Sequence, residues 1–193
     1  MAFFLLIRQQ GATAPPADLP TRFTAAGLPL RHHLQAGGWQ LWMFGKFNEP
    51  ALPLVRTPEG DLATATGWFS FDGRGGEEGL RRCLAIFDGT SLPLSRCRGH
   101  FNLVLRKQGR WYLLQDAMDA AKVYHDSAGN WFSNSFYALL CGIRAPEPDP
   151  QGCYEYAFNG TLFGEKSFVK QIRTVPAGTM TVLDREVTHL PLP

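Results

Sequence analysis

The first clear pattern is an unbroken apolar run, Phe3-Phe-Leu-Leu-Ile7, closed by Arg8. It predicts a strand buried on both faces. Residues 11–20, Gly-Ala-Thr-Ala-Pro-Pro-Ala-Asp-Leu-Pro, carry no period and predict a loop. Leu30-Arg-His-His-Leu-Gln, a Gly37-Gly38 turn and the aromatic-rich arm Trp39 to Phe47 predict a hairpin. Residues 61–71 continue as strand, with Gly67 inside marking a bulge or a close backbone approach. The period then changes. Leu80, Cys83, Leu84 and Phe87 recur at helical spacing behind Glu77 and Glu78, which suit a helix N-terminus, and Asp88-Gly89 closes the element.

From residue 99 to 135 the period returns to two. Phe101, Leu103 and Leu105 share a strand face, Gln108-Gly109 turns, and Trp111 to Leu114 pairs back. Lys122 to His125 and Trp131 to Asn134 flank an Asp126 to Asn130 turn, so the whole stretch predicts a meander of short antiparallel strands. Phe136 to Leu140 predicts a short helix. After a Pro-rich link, Asp149 as cap and Pro150 as first residue open a second one, with Cys153, Tyr156 and Ala157 on one face and Asn159-Gly160 as its end. Thr179 to Leu183 and Val187 to Leu190 predict a last hairpin. No repeat and no boundary interrupts the chain, so residues 1–193 are expected to form one domain.

Composition agrees with a strand-rich chain: 20 Gly and 14 Pro in 193 residues supply many turns without a collagen-like period. With 45% hydrophobic residues the chain can build a core, which excludes dominant disorder. A net charge of +2 gives no reason to expect nucleic acid or an anionic membrane as partner. The cluster of Arg96, Arg98, His100, Arg106, Lys107 and Arg110 lacks interleaved aromatics and reads as a solvated rim. The apolar start is too short for a signal sequence or a membrane span, and Cys83, Cys97, Cys141 and Cys153 form neither a C-x-x-C pair nor a zinc spacing. Free thiols in a cytoplasmic protein are the expectation. His32 and His33 are adjacent and face opposite ways on a strand, so no metal site is expected.

Phosphate loops of the G-x-x-x-x-G-K-[ST] and G-x-G-x-x-G types and the G-x-S-x-G elbow are absent. Gly73-Arg-Gly-Gly76 precedes a helix, where it either needs positive φ angles or offers an anion site. The order of segments is more telling. Gly99-His-Phe-Asn-Leu-Val-Leu-Arg106, Trp111 to Asp116, Ala121-Lys-Val-Tyr-His125 and Trp131 to Leu140 succeed one another. They resemble, in order, the G-x-F strand, R-D turn, K-P-L-Y strand and F-A-S-E-x-K-A-L segment of class II glutamine amidotransferases of the asparagine synthetase type. Tyr154-Glu-Tyr-Ala-Phe-Asn-Gly160 and Phe168 to Leu183, which contains Ile172-Arg-Thr-Val-Pro-Ala-Gly178, are similar to that family's E-Y-x-x-x-G helix and its I-x-x-(L/V)-P-P-G ending.

The resemblance spans about residues 61–184 and implies an α+β fold of the N-terminal nucleophile hydrolase kind. That fold is a four-layer αββα sandwich of two antiparallel sheets with helices on the outer faces. The family's nucleophile is a cysteine directly after the initiator methionine, with its α-amino group as base. Position 2 here is Ala2, so the resemblance implies a domain without the acylating thiol. Thr66 and Gly67 correspond to the family's oxyanion Asn-Gly. Glu77 stands where the family holds a ligand's α-ammonium, or is simply a helix-start carboxylate. Thr66, Gly67 and Glu77 are thus the expected remnants of a substrate pocket. The family's R-G-P-D segment has no counterpart between residues 40 and 60, and Trp68, Phe69 and Phe71 are expected to fill the old pocket. Cys141-Gly-Ile143 spells the family's mature N-terminus but lies inside the chain. Cys83 and Cys153, on apolar helix faces, are expected to be buried structural thiols.

These features imply a pseudoenzyme without cofactor that scaffolds an ATP-dependent amide-forming synthetase domain or subunit acting on a peptide or amino acid. The β-lactam synthetases and lasso-peptide macrolactam synthetases are precedents within the family's wider kinship. Two alternatives stay open: a glutaminase using Cys83 or Thr66 as nucleophile, and a domain that binds glutamine or another amino acid through Glu77 without turnover. The S-G-G-x-D-S adenylate loop of the synthetase half does not occur in these 193 residues, so the chain is expected to be one domain of a longer synthetase or a separately encoded partner.

Overall fold

The computed structural model describes residues 2–11, 14–48, 52–116, 118 and 120–192. β1 (Phe3–Arg8) forms where the apolar run places it and is buried through Ile7. α1 (Leu19–Ala25) begins inside the expected loop: Pro20 presets its first turn, and only Leu19 and Phe23 are buried. β2 (Leu30–Ala36) and β3 (Trp39–Phe44) form the expected hairpin, with a bulge between Leu30 and His32. β4 (Leu54–Arg56) and β5 (Leu62–Gly67) follow. The strand expected to run to residue 71 stops at Gly67, whose φ of 83° leaves the β region. β6 (Ser70–Phe71) and β7 (Arg74–Gly75) form a small hairpin before α2 (Gly76–Ile86).

A single 3₁₀ turn, Leu94–Arg96, leads into β8 (Cys97–Arg98), β9 (Phe101–Lys107) and β10 (Arg110–Gln115). β11 (Tyr124–Asp126), β12 (Trp131–Ser133) and α3 (Phe136–Leu140) come next, and Ser135 caps α3 through its hydroxyl. Asp149 accepts the N–H groups of Gln151 and Gly152 and so caps α4 (Pro150–Asn159), which Gly160 ends in the left-handed conformation. β13 (Ile172–Thr174), β14 (Thr179–Leu183) and β15 (Val187–Pro191) complete the chain. The class is α+β, and every strand pairing among the described residues is antiparallel. No described helix is long and apolar enough to cross a membrane.

The chain divides into two compact units, each assembled from separated stretches. The first comprises residues 48–122 and 177–193 with the two N-terminal residues; the second comprises 3–47 and 123–176. In the first unit a six-stranded sheet runs β15-β14-β10-β9-β5-β4, beside a three-stranded sheet β7-β6-β8. α2 buries Leu80, Cys83 and Leu84, followed by Phe87, in one cluster with Ala63, Ala65, Phe101, Leu103, Leu105, Tyr112 and Leu114. Strand alternation sends Thr64, Thr66, Asn102, Val104, Leu113, Gln115 and Thr181 to the opposite face, where all are buried as well. That face carries five polar side chains. An ordinary core would place aliphatic groups there.

In the second unit the sheet runs β13-β11-β12-β1-β3-β2. Phe3, Phe23 and Phe44 pack with ring centroids 4.6–5.1 Å apart in a cluster that also buries Leu5, Ile7, Trp131, Leu139 and Ile172. The expected single meander from residue 99 to 135 is therefore two hairpins in different sheets. β9-β10 continues β5, whereas β12 pairs with β1 across a chain separation that no local pattern encodes.

Candidate functional site

At the end of β5, in the first unit, Thr66 lies opposite Asn102 of β9, and Asn102 lies opposite Gln115 of β10. Directly opposed residues stand about 5 Å apart at Cβ, so the three side chains form one polar row across the sheet. All three are at most 3% exposed. Among the described residues neither the amide oxygen nor the amide nitrogen of Asn102 has a hydrogen-bond partner. An amide buried in that way costs about 1–3 kcal/mol unless water or a ligand satisfies it. Asp116 follows Gln115 and is equally buried. Its Oδ1 accepts the N–H groups of Met118 (3.0 Å) and Ala120 (3.3 Å) and lies 3.9 Å from His100 Nδ1, while Oδ2 has no partner among the described residues.

Backbone contact fixes this end of the sheet. A Cβ on Gly67 would sit 2.2 Å from the carbonyl oxygen of His100, and one on Gly99 would sit 1.9 Å from that of Trp68. Two backbones thus meet at a distance that only glycine allows, and the Trp68 N–H donates to the His100 carbonyl at 2.9 Å. This is the close approach that a glycine inside a strand pattern signals.

Of the residues singled out in the sequence, Thr66 and Gly67 fall at this site. Glu77 stands apart from the polar row. It lies in the first turn of α2, whose apolar stripe packs on the other face of the sheet, and its exposed carboxylate meets Arg81 at 3.3 Å. Ala2 is buried directly before β1 and carries only a methyl group. The expected aromatic filling of the pocket is not what forms. Gly67 breaks the alternation, so Trp68 turns outward at 67% exposure, and Phe69 and Phe71 join the core beneath α2. What surrounds Thr66 instead is polar.

The thiols divide similarly. Cys83 is fully buried and burial pushes its thiol far up, which disfavours the nucleophilic thiolate; Cys97, also buried, is pushed up to about 11. Cys153, expected to be buried, is exposed, because α4 touches its surroundings through Gly152: a Cβ there would lie 2.4 Å from the Ser167 carbonyl oxygen. Cys141 caps α3 internally, with Gly142 pressed under the Trp131 ring. Gly73 and Gly76 have φ of 72° and 59°, so the glycine cluster serves its turns.

The basic rim resolves into separate ion pairs, Arg96 with Asp72, Lys107 with Asp61 and Arg110 with Asp184. Among the described residues no three His, Cys, Asp or Glu side chains converge as metal ligands. Asn102, Gln115 and Asp116 are the site residues that sequence reasoning missed. The available signal was an amide within the otherwise apolar string Phe101-Asn-Leu-Val-Leu105. Scans against protein-family models and against curated proteins find no match to this chain.

Proposed function

We propose that this chain is a glutamine amidotransferase-like domain of the N-terminal nucleophile hydrolase type that has lost glutaminase chemistry. In this reading its two large antiparallel sheets are the inner layers of a four-layer αββα sandwich. Its role is to scaffold an ATP-dependent amide-forming synthetase domain or subunit acting on a peptide or amino acid in the cytoplasm. The observation that carries the reading is Ala2, a buried methyl group at the position where the family places its acylating thiol. Without a nucleophile there is no acyl-enzyme, and a missing oxyanion donor alone lowers such rates by ~10²- to 10³-fold. Cys83 offers no substitute in its buried, protonated state.

The test is exposure of the purified protein to glutamine and to a glutamine-analogue electrophile. Neither glutamate release nor covalent labelling is expected. Labelling at any residue would restore the glutaminase alternative.

A second reading, binding of an amino acid without turnover, draws support from the buried Asn102 amide, which has no hydrogen-bond partner among the described residues. Calorimetric titration with glutamine separates the two. Heat that disappears in Asn102→Leu would favour the binding domain, and no heat leaves the scaffold.

A further inference from the structure

A cavity of about 170 Å³ lies in the second unit, lined by Gly11, Asp126, Ala128, Asn130, Trp131, Leu139, Gly142 and Ile143. At about 30 Å³ per molecule of liquid water it has room for five or six waters, or for a ligand of a few heavy atoms. Among the described residues Asp126 is the one charged residue of this wall, and no Lys, Arg or His shares it. The carboxylate is held by the hairpin turn between β11 and β12. Its Oδ1 accepts the backbone N–H groups of Asn130 and Trp131, both at 2.7 Å, while Oδ2 receives no donor from the described residues. Leu139, Ile143 and Trp131 belong to the same lining, and the indole is fixed because its ring occupies the space a side chain at position 142 would need.

A fixed carboxylate with an unused oxygen, in a lining that among the described residues adds aliphatic and aromatic side chains but no second charge, recognises a small organic cation. A charged acceptor forms the stronger class of hydrogen bond with an ammonium donor, and Leu139, Ile143 and Trp131 offer apolar contact to the attached alkyl chain. We infer that this cavity is a binding site for a primary ammonium on a short alkyl chain. The site lies outside the Thr66–Gly67 region and does not depend on the function assigned to that region. Its ligand is either a free alkylamine or a lysine side chain of a polypeptide.

Titration of the full chain with n-butylammonium chloride, followed by the amide resonances of Asn130, Trp131 and Gly142, tests the site, with n-butanol as the neutral control of equal shape. Saturable shifts in the millimolar range are expected, and butanol binds about tenfold more weakly or less. Asp126→Asn keeps a carbonyl oxygen for the two turn N–H groups but removes the charge, and it weakens butylammonium by about tenfold. Ala128→Phe adds bulk at an exposed wall position and weakens it too, which keeps the test intact should the Asn variant fold poorly. A parallel titration with acetyl-Gly-Lys-Gly-amide identifies the source. Tighter binding of the peptide assigns a polypeptide lysine, and tighter binding of butylammonium assigns a free amine. Equal affinity for butanol, indifference to both substitutions, or no saturation by roughly 50 mM would overturn the site.

Discussion

At Gly67 one hydrogen in place of a methyl group lets β5 and the chain before β9 meet. The left-handed φ and the 2.2 Å distance to the His100 carbonyl both exclude a side chain, and the atom in the way is backbone that cannot swing aside. Gly67→Ala is therefore expected to lower unfolding free energy by at least about 2 kcal/mol in denaturant titrations, and a change near zero would mean that the two backbones are not in contact. The neighbouring residue predicts the opposite sign. Asn102→Leu replaces a buried amide with no partner among the described residues by an apolar side chain of similar size, so stability should hold or rise by about 1 kcal/mol. A loss of that size instead would show that Asn102 is satisfied by tightly held water. Gly67 was legible in the sequence because a glycine inside a strand pattern has few other purposes. Asn102 was not, because burial on both faces of β9 is a property of the assembled sheet and not of the string Phe101 to Leu105.

Some elements that announce themselves by period formed where the pattern put them, although the strand expected to reach residue 71 ends at Gly67. α2 shows it best, its apolar spacing and first-turn glutamates both matching the helix observed. α1 was missed because two buried residues in a seven-residue helix make no period. α4 was found by its cap and Pro150, yet its face was misjudged: Gly152 makes the close contact, and Tyr154, Tyr156 and Phe158 stay exposed. Its anchor is electrostatic as well. Glu155 accepts from Lys166 at 2.5 Å, from Gln151 at 2.9 Å and from the Phe163 N–H at 3.3 Å, and these bonds, Lys166 first, hold its carboxyl down to about 2 from an ordinary value of 4.5. A depressed folded-state pKa stabilises above 4.5 and loses that contribution as pH falls toward 2. Acid titration of wild type against Glu155→Gln should show a stability difference near neutrality that closes across that window. A difference that persists unchanged at pH 2 would mean that the carboxylate is not the stabilising species.

For the whole molecule, local pattern identified hairpins but not the sheet each one joins. Successive hairpins β9-β10 and β11-β12 look alike in sequence and belong to different sheets, and β1 finds β12 only through long-range pairing. The resemblance in segment order runs from residue 61 onward, whereas Ala2, on which the proposed loss of glutaminase chemistry rests, lies before β1 begins. Under the proposed reading, Ala2 leaves no acylating thiol, and burial disfavours the Cys83 thiolate that would have to replace it. The most direct measurement is glutamate release from glutamine by the purified chain, with its mature N-terminus verified by mass. The account predicts release no faster than in buffer. Turnover abolished by a glutamine-analogue electrophile would contradict it.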